Sequence, residues 1–196
     1  MTASLIVLEG LDGVGKTTIR AGLAAHLGAT ALDTPGPTLR QLMPSILEAQ
    51  HRDVDARVLT YLAAGLAIGR RARAIADAGT PVVLDRYWCS TLAYGRAFGA
   101  TVDVSAVAMG FAHPDLTILL IIDDAERLRR LQERGVEGEE DVLTQQRAFR
   151  SKVLAGYRGQ QPEGLGVDVE VDVSGADREE ALRRVIEAAT KHLGGA

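Results

Sequence analysis

Residues 9–18, EGLDGVGKTT, place three glycines, a lysine and two threonines directly after the apolar run LIVL. Their spacing fits G-x-x-x-x-G-K-[ST], a loop whose backbone amides surround a nucleotide phosphate, and side chains at the glycine positions would block that approach. Lys16 would reach the β and γ phosphates, and the Thr17 hydroxyl is a ligand for Mg²⁺. The residues predicted to bind the nucleotide are Gly10, Asp12, Gly13, Val14, Gly15, Lys16, Thr17 and Thr18.

A second polar cluster, DRYWCSTLAY (85–94), follows the strand-like segment TPVVLD. An aspartate at the carboxyl end of a parallel strand lies at the ligand edge of the sheet, where Asp85 would hold Mg²⁺ directly or through water. Arg86 beside it can hold a second phosphate through two hydrogen bonds. Two phosphates held in line, with their charge neutralised, are what phosphoryl transfer requires. That reaction needs no protein nucleophile, so Cys89 is predicted to be a packing thiol.

Strand-like and helix-like segments alternate along the chain, which is typical of a parallel sheet covered by helices on both faces. We predict strands at 4–9, 29–33, 80–85, 115–122 and 167–173, and helices at 17–28, 39–50, 54–78, 89–98, 103–112, 124–135, 142–158 and 176–193. The period-2 segment VDVEVDV indicates an edge strand. The predicted fold class is α/β, a three-layer αβα P-loop NTPase fold with about five parallel strands. We expect a single P-loop domain over 1–196; GTPases, ATPases and small-molecule kinases all share the P-loop, and the absence of an N-K-x-D motif disfavours a GTPase.

Composition narrows the classes of partner. The chain has 196 residues, 46% hydrophobic, with a formal net charge of −4. An acidic balance argues against broad binding to nucleic acid or to an anionic membrane. No apolar stretch approaches the roughly 20 residues that span a bilayer, and no signal peptide is evident, so we expect a cytoplasmic protein. Its partners are predicted to be small-molecule nucleotides.

Three segments together resemble the thymidylate kinase family of nucleoside monophosphate kinases: EGLDGVGKTT, DRYxxSTxAY and PDLTILLI…RLRRLQERG. The resemblance runs from about residue 4 to residue 160, and it implies a single kinase domain with a short lid at about 134–142. It implies Mg-ATP-dependent transfer of the γ-phosphoryl group to dTMP, giving dTDP and ADP. It also implies a homodimer through helices 54–78 and 89–112, although their alanine-rich faces could equally pack on the domain's own sheet.

The resemblance assigns roles residue by residue. Lys16 would serve the ATP phosphates, Asp12 would lie near the acceptor's sugar 3′-hydroxyl and the metal, and Arg86 would clamp the acceptor phosphate. Thr17 and Asp85 would serve Mg²⁺. The other residues implied to contact the acceptor are Arg40, Tyr61, Arg70, Ser90, Thr91 and Tyr94, with Ser90 and Thr91 near the base and Tyr94 under the sugar, where its ring disfavours a 2′-hydroxyl.

Three departures from the family pattern leave alternatives open. The family's R-E-P-G-G-T becomes DTPGPT, so Asp33 and Thr34 replace an arginine and a glutamate. The base-reading arginine becomes Gly65 or Leu66, and Arg70 one to two turns later either substitutes for it or lines a solvated face. The lid, GVEGEED, is acidic, so the arginine at the transferring phosphate would be Arg134, or else Arg127, Arg129 or Arg130.

These departures concern base reading and the lid, whereas the phosphate-binding residues are intact. They leave two alternatives beside dTMP phosphorylation. One is a related kinase for a modified pyrimidine nucleotide or a deoxynucleoside. The other is a regulatory protein that binds ATP and transfers little.

Overall fold

A five-stranded parallel sheet with strand order β2-β3-β1-β4-β5 forms the centre of the molecule. The computed structural model describes residues 3–135 and 139–194. The strands are β1 (Leu5–Gly10), β2 (Thr30–Asp33), β3 (Val82–Asp85), β4 (Leu116–Ile121) and β5 (Val169–Asp172). The helices are α1 (Lys16–Leu27), α2 (Pro37–Ala49), α3 (Val54–Asp77), α4 (Trp88–Phe98), α5 (Ser105–Ala108), α6 (Asp124–Arg134), α7 (Glu139–Gln145), α8 (Arg147–Arg158) and α9 (Arg178–Leu193).

Both faces of the sheet are covered, as the sequence predicts. Successive side chains of a strand point to opposite faces. Leu5 and Val7 of β1 therefore pack with α3, α4 and α8, whereas Ile6 and Leu8 pack with α1 and α9. The α/β class with five parallel strands is confirmed, and β5 is the edge strand that its period-2 pattern predicts.

Two helix predictions are wrong in extent. The segment predicted as one helix over 103–112 contains only α5, because the chain leaves the helix and turns Phe111 into the core, where its ring lies 5.1 Å from that of Tyr87. The helix predicted over 142–158 is broken at Gln146 into α7 and α8. Buried Arg127 and Arg150 donate to the carbonyl of Thr144, so side chains occupy an acceptor that a continuous helix would use.

The long helix α3 approaches the β3–α4 turn closely because Gly69 has no side chain. A Cβ at that position would overlap the Tyr87 hydroxyl. The same hydroxyl donates to the Ala112 carbonyl at 3.1 Å. This contact fixes the distance between α3 and the residues that follow β3, which form two walls of the cleft described below.

Candidate active site

A cleft of about 1200 Å³ opens at the carboxyl ends of β1 and β3. Open α/β sheets bind their ligands at this edge. The described residues that line the cleft include ten cationic and six anionic side chains, although the chain as a whole carries a net charge of −4. The positive charge is therefore concentrated at the cleft, which favours a polyanionic ligand there.

The glycine-rich loop forms the floor of the cleft. Gly13 and Gly15 have φ values of 86° and 101°, a backbone region that favours glycine, and α1 begins immediately at Lys16. The first backbone amides of α1 and its dipole therefore face the cleft. Gly10 does not line the cleft among the described residues. A Cβ there would lie 2.7 Å from the Leu120 carbonyl oxygen, so packing on β4 requires that glycine.

Lys16 is folded back onto the loop. Its Nζ donates to the carbonyls of Gly10 at 3.0 Å and Leu11 at 2.9 Å, and its side chain is only 6% exposed. Burial, together with the positive charge of Arg86, lowers the pKa of Lys16 from 10.5 to about 8. The two carbonyls hold the ammonium at the loop that the phosphates would enter.

Asp12 and Arg86 form an ion pair across the cleft. Burial alone would raise the pKa of Asp12, but Arg86 and Lys16 outweigh it and hold that pKa well below its usual range. The Tyr94 hydroxyl donates to the second Asp12 oxygen at 3.2 Å, and the Arg86 guanidinium lies 5.4 Å from the centre of the Tyr94 ring. The tertiary structure thus joins residues separated by more than 70 positions in sequence.

Asp85 lies at the end of β3, beside the same loop. Its side chain is 9% exposed, and its Oδ1 has no hydrogen-bond partner within the described residues. The Thr34 hydroxyl, which is also buried and lines the cleft, likewise lacks a partner there. Buried oxygens without protein partners are suited to a ligand or to hydrated metal.

The other predicted acceptor residues separate into two groups. The cleft is lined by Arg40, Tyr61, Ser90, Thr91 and Tyr94. Arg40 is held there by an ion pair with Asp33. Arg70, in contrast, is exposed, donates to the Gly110 carbonyl at 3.4 Å and is absent from the cleft lining. The structure therefore does not bring Arg70 to the cleft, and the Gly65 position beside Phe111 has no room for a longer side chain without rearrangement.

Arg57 is a cleft residue that the sequence analysis missed. It lies one helical turn before Tyr61 on α3, pairs with Glu140 of α7, and stacks 4.5 Å from the centre of the Phe98 ring. The i, i+4 spacing to Tyr61 places both on one helix face, and that spacing was the available sequence signal. Its side chain is 14% exposed, so the cleft has a nearly buried guanidinium beside Tyr61.

The predicted lid lies partly outside the described residues, because 136–138 are not described and nor are the side chains of Glu139 and Asp141. Arg134, Arg130 and Arg129 of α6 line the cleft. Arg130 lies beside the loop, with its guanidinium 3.4 Å from the Val14 carbonyl. Arg127 instead is fully buried and donates to the Asp12 carbonyl at 3.0 Å, so it supports the loop from behind.

The fold and the loop together define a P-loop nucleotide-binding protein of the αβα class. The sequence model of the thymidylate kinase family matches residues 8–174. A thymidylate kinase of Solidesulfovibrio magneticus is 35% identical over 179 residues, which is 78% of this chain and 83% of the relative. A thymidylate kinase of Cereibacter sphaeroides is 34% identical over 199 residues, which is 91% of this chain and 90% of the relative. The chain belongs to the thymidylate kinase family.

Solved structures agree on the fold. The thymidylate kinase of Candida albicans superposes with a TM-score of 0.71 at 21% identity, over 97% of this chain and 94% of that one. The thymidylate kinase of Ehrlichia chaffeensis superposes with a TM-score of 0.62 at 21% identity, over 96% of this chain and 100% of that one. In the part of the chain that the structure describes, no helix is long and apolar enough to cross a membrane.

Proposed function

We propose that this protein transfers the γ-phosphoryl group of ATP to dTMP, giving ADP and dTDP. Membership of the thymidylate kinase family supports the reaction. The observation that carries the proposal is the meeting of the P-loop lysine, Lys16, and the Arg86 guanidinium at one carboxylate, Asp12. Two cations flanking one carboxylate suit two phosphates that must be held in line against their repulsion.

Mg²⁺ fits this site. Thr17 lies in the first turn of α1 and lines the cleft. Asp85 Oδ1, which has no hydrogen-bond partner among the described residues, provides a hard oxygen ligand of the type Mg²⁺ prefers. When bound, the ion would neutralise charge on the β and γ phosphates. Thr17 would hold it directly, and Asp85 would hold it directly or through water.

Different residues of the chain would bind the phosphoryl donor and the acceptor. The amides at the start of α1 and the Lys16 ammonium would bind the ATP phosphates, and Arg134 at the end of α6 would reach the transferring group. Arg86 would hold the acceptor phosphate. Asp12 would accept a hydrogen bond from the sugar 3′-hydroxyl, and its ion pair with Arg86 would loosen.

The acceptor pocket is built from aromatic side chains. Tyr61 on α3 would stack on the base, and Tyr94, fixed by Asp12 and by ring contact with Phe149, would lie under the sugar. A ring in that position leaves no space for a 2′-hydroxyl. A homodimer through α3 and α4, and residence in the cytoplasm, stay predictions of the sequence resemblance.

The test is a panel of acceptors with Mg-ATP, measured as ADP release. We expect dTMP to be the fastest substrate, dUMP slower, and UMP slowest because of Tyr94. Free thymidine tests the nucleoside kinase alternative. Turnover of thymidine above that of dTMP, or no turnover of any acceptor by protein that binds ATP, would contradict the proposal.

ATP affinity should depend on the ionisation of Lys16. Lys16 attracts a polyphosphate only as the charged ammonium, and its pKa in the free protein is about 8. Lys16 is therefore almost fully protonated below pH 7, and the affinity for ATP falls as pH rises through 8. We expect the dissociation constant of a non-hydrolysable ATP analogue to rise about tenfold between pH 7 and pH 9. Calorimetry at pH 8 in two buffers of different ionisation enthalpy should detect proton uptake on binding. A pH-independent affinity, or proton release, would contradict this role.

A further inference from the structure

Glu9 is a buried acid in the central strand β1. Its side chain has no exposed area, and β1 lies between β3 and β4 in the middle of the sheet. An ionised carboxylate in such a position is costly unless hydrogen bonds satisfy its oxygens. The partners of Glu9 therefore indicate what the residue is for.

One Glu9 oxygen anchors the start of α4. Oε1 accepts hydrogen bonds from the backbone amides of Tyr87 at 3.0 Å and Ser90 at 3.2 Å. Tyr87 is the N-cap residue of α4 and offers no capping side chain. The carboxylate thus satisfies amides at the helix start that would otherwise lack partners.

Those bonds hold a turn that does not form readily. Arg86 adopts φ 65°, a left-handed conformation that is unfavourable for a residue with a Cβ atom. Its own amide donates to the Leu8 carbonyl at 2.9 Å, and the next amide, of Tyr87, donates to Glu9. Two successive residues of β1 therefore hold the backbone on both sides of the Arg86 Cα.

The second Glu9 oxygen sets the direction of a hydrogen-bond relay. The Ser90 hydroxyl donates to Glu9 Oε2, and Arg86 Nη1 donates to the same Ser90 oxygen at 3.2 Å. Burial raises the pKa of Glu9, and the bonds from Ser90 and the charge of Arg86 oppose that rise. An ionised carboxylate only accepts, so the hydroxyl hydrogen points to Glu9 and a lone pair faces Arg86, while the Tyr157 hydroxyl lies 2.9 Å from the same Ser90 oxygen. The other guanidinium nitrogen, Nη2, pairs with Asp12.

We propose that Glu9 is a positioning residue that sets the Arg86 guanidinium for the acceptor phosphate, through the left-handed turn at Arg86 and the oriented Ser90 hydroxyl. What Arg86 binds rests on the proposed function, but the placement of the guanidinium does not. Glu9 is fully buried and is not among the residues that line the cleft, so it acts through Arg86 and touches no substrate.

The variant Glu9→Gln tests the relay with almost no change in shape. If the amide nitrogen faces Ser90, the hydroxyl must turn its hydrogen away from Glu9, toward the Tyr157 hydroxyl at 2.9 Å. If the nitrogen faces the other way, it meets the two amide donors of Tyr87 and Ser90. The first orientation reverses the relay, the second breaks the anchor of the turn, and both remove the negative charge that attracts Arg86. We therefore expect the KM for dTMP to rise tenfold or more while the KM for ATP stays within twofold.

Ser90→Ala should give the same shift, since it removes the relay and leaves the two amide bonds of Glu9. The double variant should be no worse than either single variant. If Glu9→Gln does not fold, the position of Arg86 in a Ser90→Ala crystal carries the test, because Ser90 itself lines the cleft and its loss can change the KM for dTMP directly. Asp168→Asn is the matched control, because Asp168 accepts from the Thr117 amide at 2.7 Å at the opposite end of the sheet.

A crystal structure of the variant separates this inference from the proposed function. We expect the Arg86 guanidinium to leave Ser90 and Asp12 in Glu9→Gln or Ser90→Ala. An unmoved guanidinium, an unchanged KM for dTMP, or a fall in kcat with both KM values unchanged would overturn the inference. If the wild type fails to phosphorylate dTMP, the proposed function fails, and the position of Arg86 in the crystal still decides the role of Glu9.

Discussion

Replacement of Lys16 with methionine is expected to lower kcat by on the order of 10³-fold, as for other groups that stabilise developing charge in a water-poor site. Methionine keeps the length and the apolar packing of the side chain but removes the ammonium. That ammonium is held by the carbonyls of Gly10 and Leu11 at the point where α1 begins. Single-turnover phosphoryl transfer with saturating Mg-ATP and dTMP measures the chemical step directly.

Lys152→Met is the matched control for this prediction. Lys152 is exposed on α8 and outside the cleft lining, so the same substitution there should leave turnover unchanged. Circular dichroism should give similar melting curves for both variants. A Lys16→Met protein that retains a tenth or more of wild-type turnover would exclude the P-loop lysine from the phosphoryl-transfer step.

Replacement of Arg86 with methionine is expected to raise the KM for dTMP by on the order of 10²-fold, because the acceptor phosphate loses its guanidinium and Asp12 loses its partner in a partly buried charge pair. We also expect kcat to fall, since Asp12 loses the ion pair that holds it in place. The KM for ATP should change little, because the Lys16 side of the cleft is intact. Initial rates over a matrix of both substrates separate these effects.

Arg70→Met provides the comparison for Arg86→Met. The sequence left Arg70 as a candidate for the acceptor pocket, whereas the structure places it on the surface beside Gly110. We expect its loss to leave both KM values unchanged. If Arg70→Met weakens dTMP binding as much as Arg86→Met does, the acceptor lies elsewhere and the assignment of Arg86 is wrong.

The cleft also explains how an acidic protein can bind two nucleotides. The net charge of −4 is distributed over the whole surface, whereas cations outnumber anions in the cleft lining. Exposed charges further than about 10 Å away are largely screened at physiological ionic strength. The local charge at the cleft therefore decides whether a polyanionic ligand binds there.

The sequence by itself determined the fold class and the phosphate-binding loop. Five buried or alternating strand segments, each followed by a helix, specify a parallel sheet, and EGLDGVGKTT lies within ten consecutive residues at the end of one strand. Both signals are local, because strand and helix periodicity and the glycine requirements of a tight loop are properties of neighbouring residues. Asp85 and Arg86 were found for the same reason, as residues at the end of a predicted strand.

Tertiary structure decided which side chains share the cleft. Arg57 enters it through contacts with Phe98 and with Glu140, 83 residues away, whereas Arg70 on the same helix turns outward. Glu9 reads in sequence as the end of an apolar strand, and its partners Tyr87 and Ser90 lie 78 and 81 residues further on. Helix and strand periods place a residue on a face of its own element. What that face meets depends on how elements pack, which no local pattern contains.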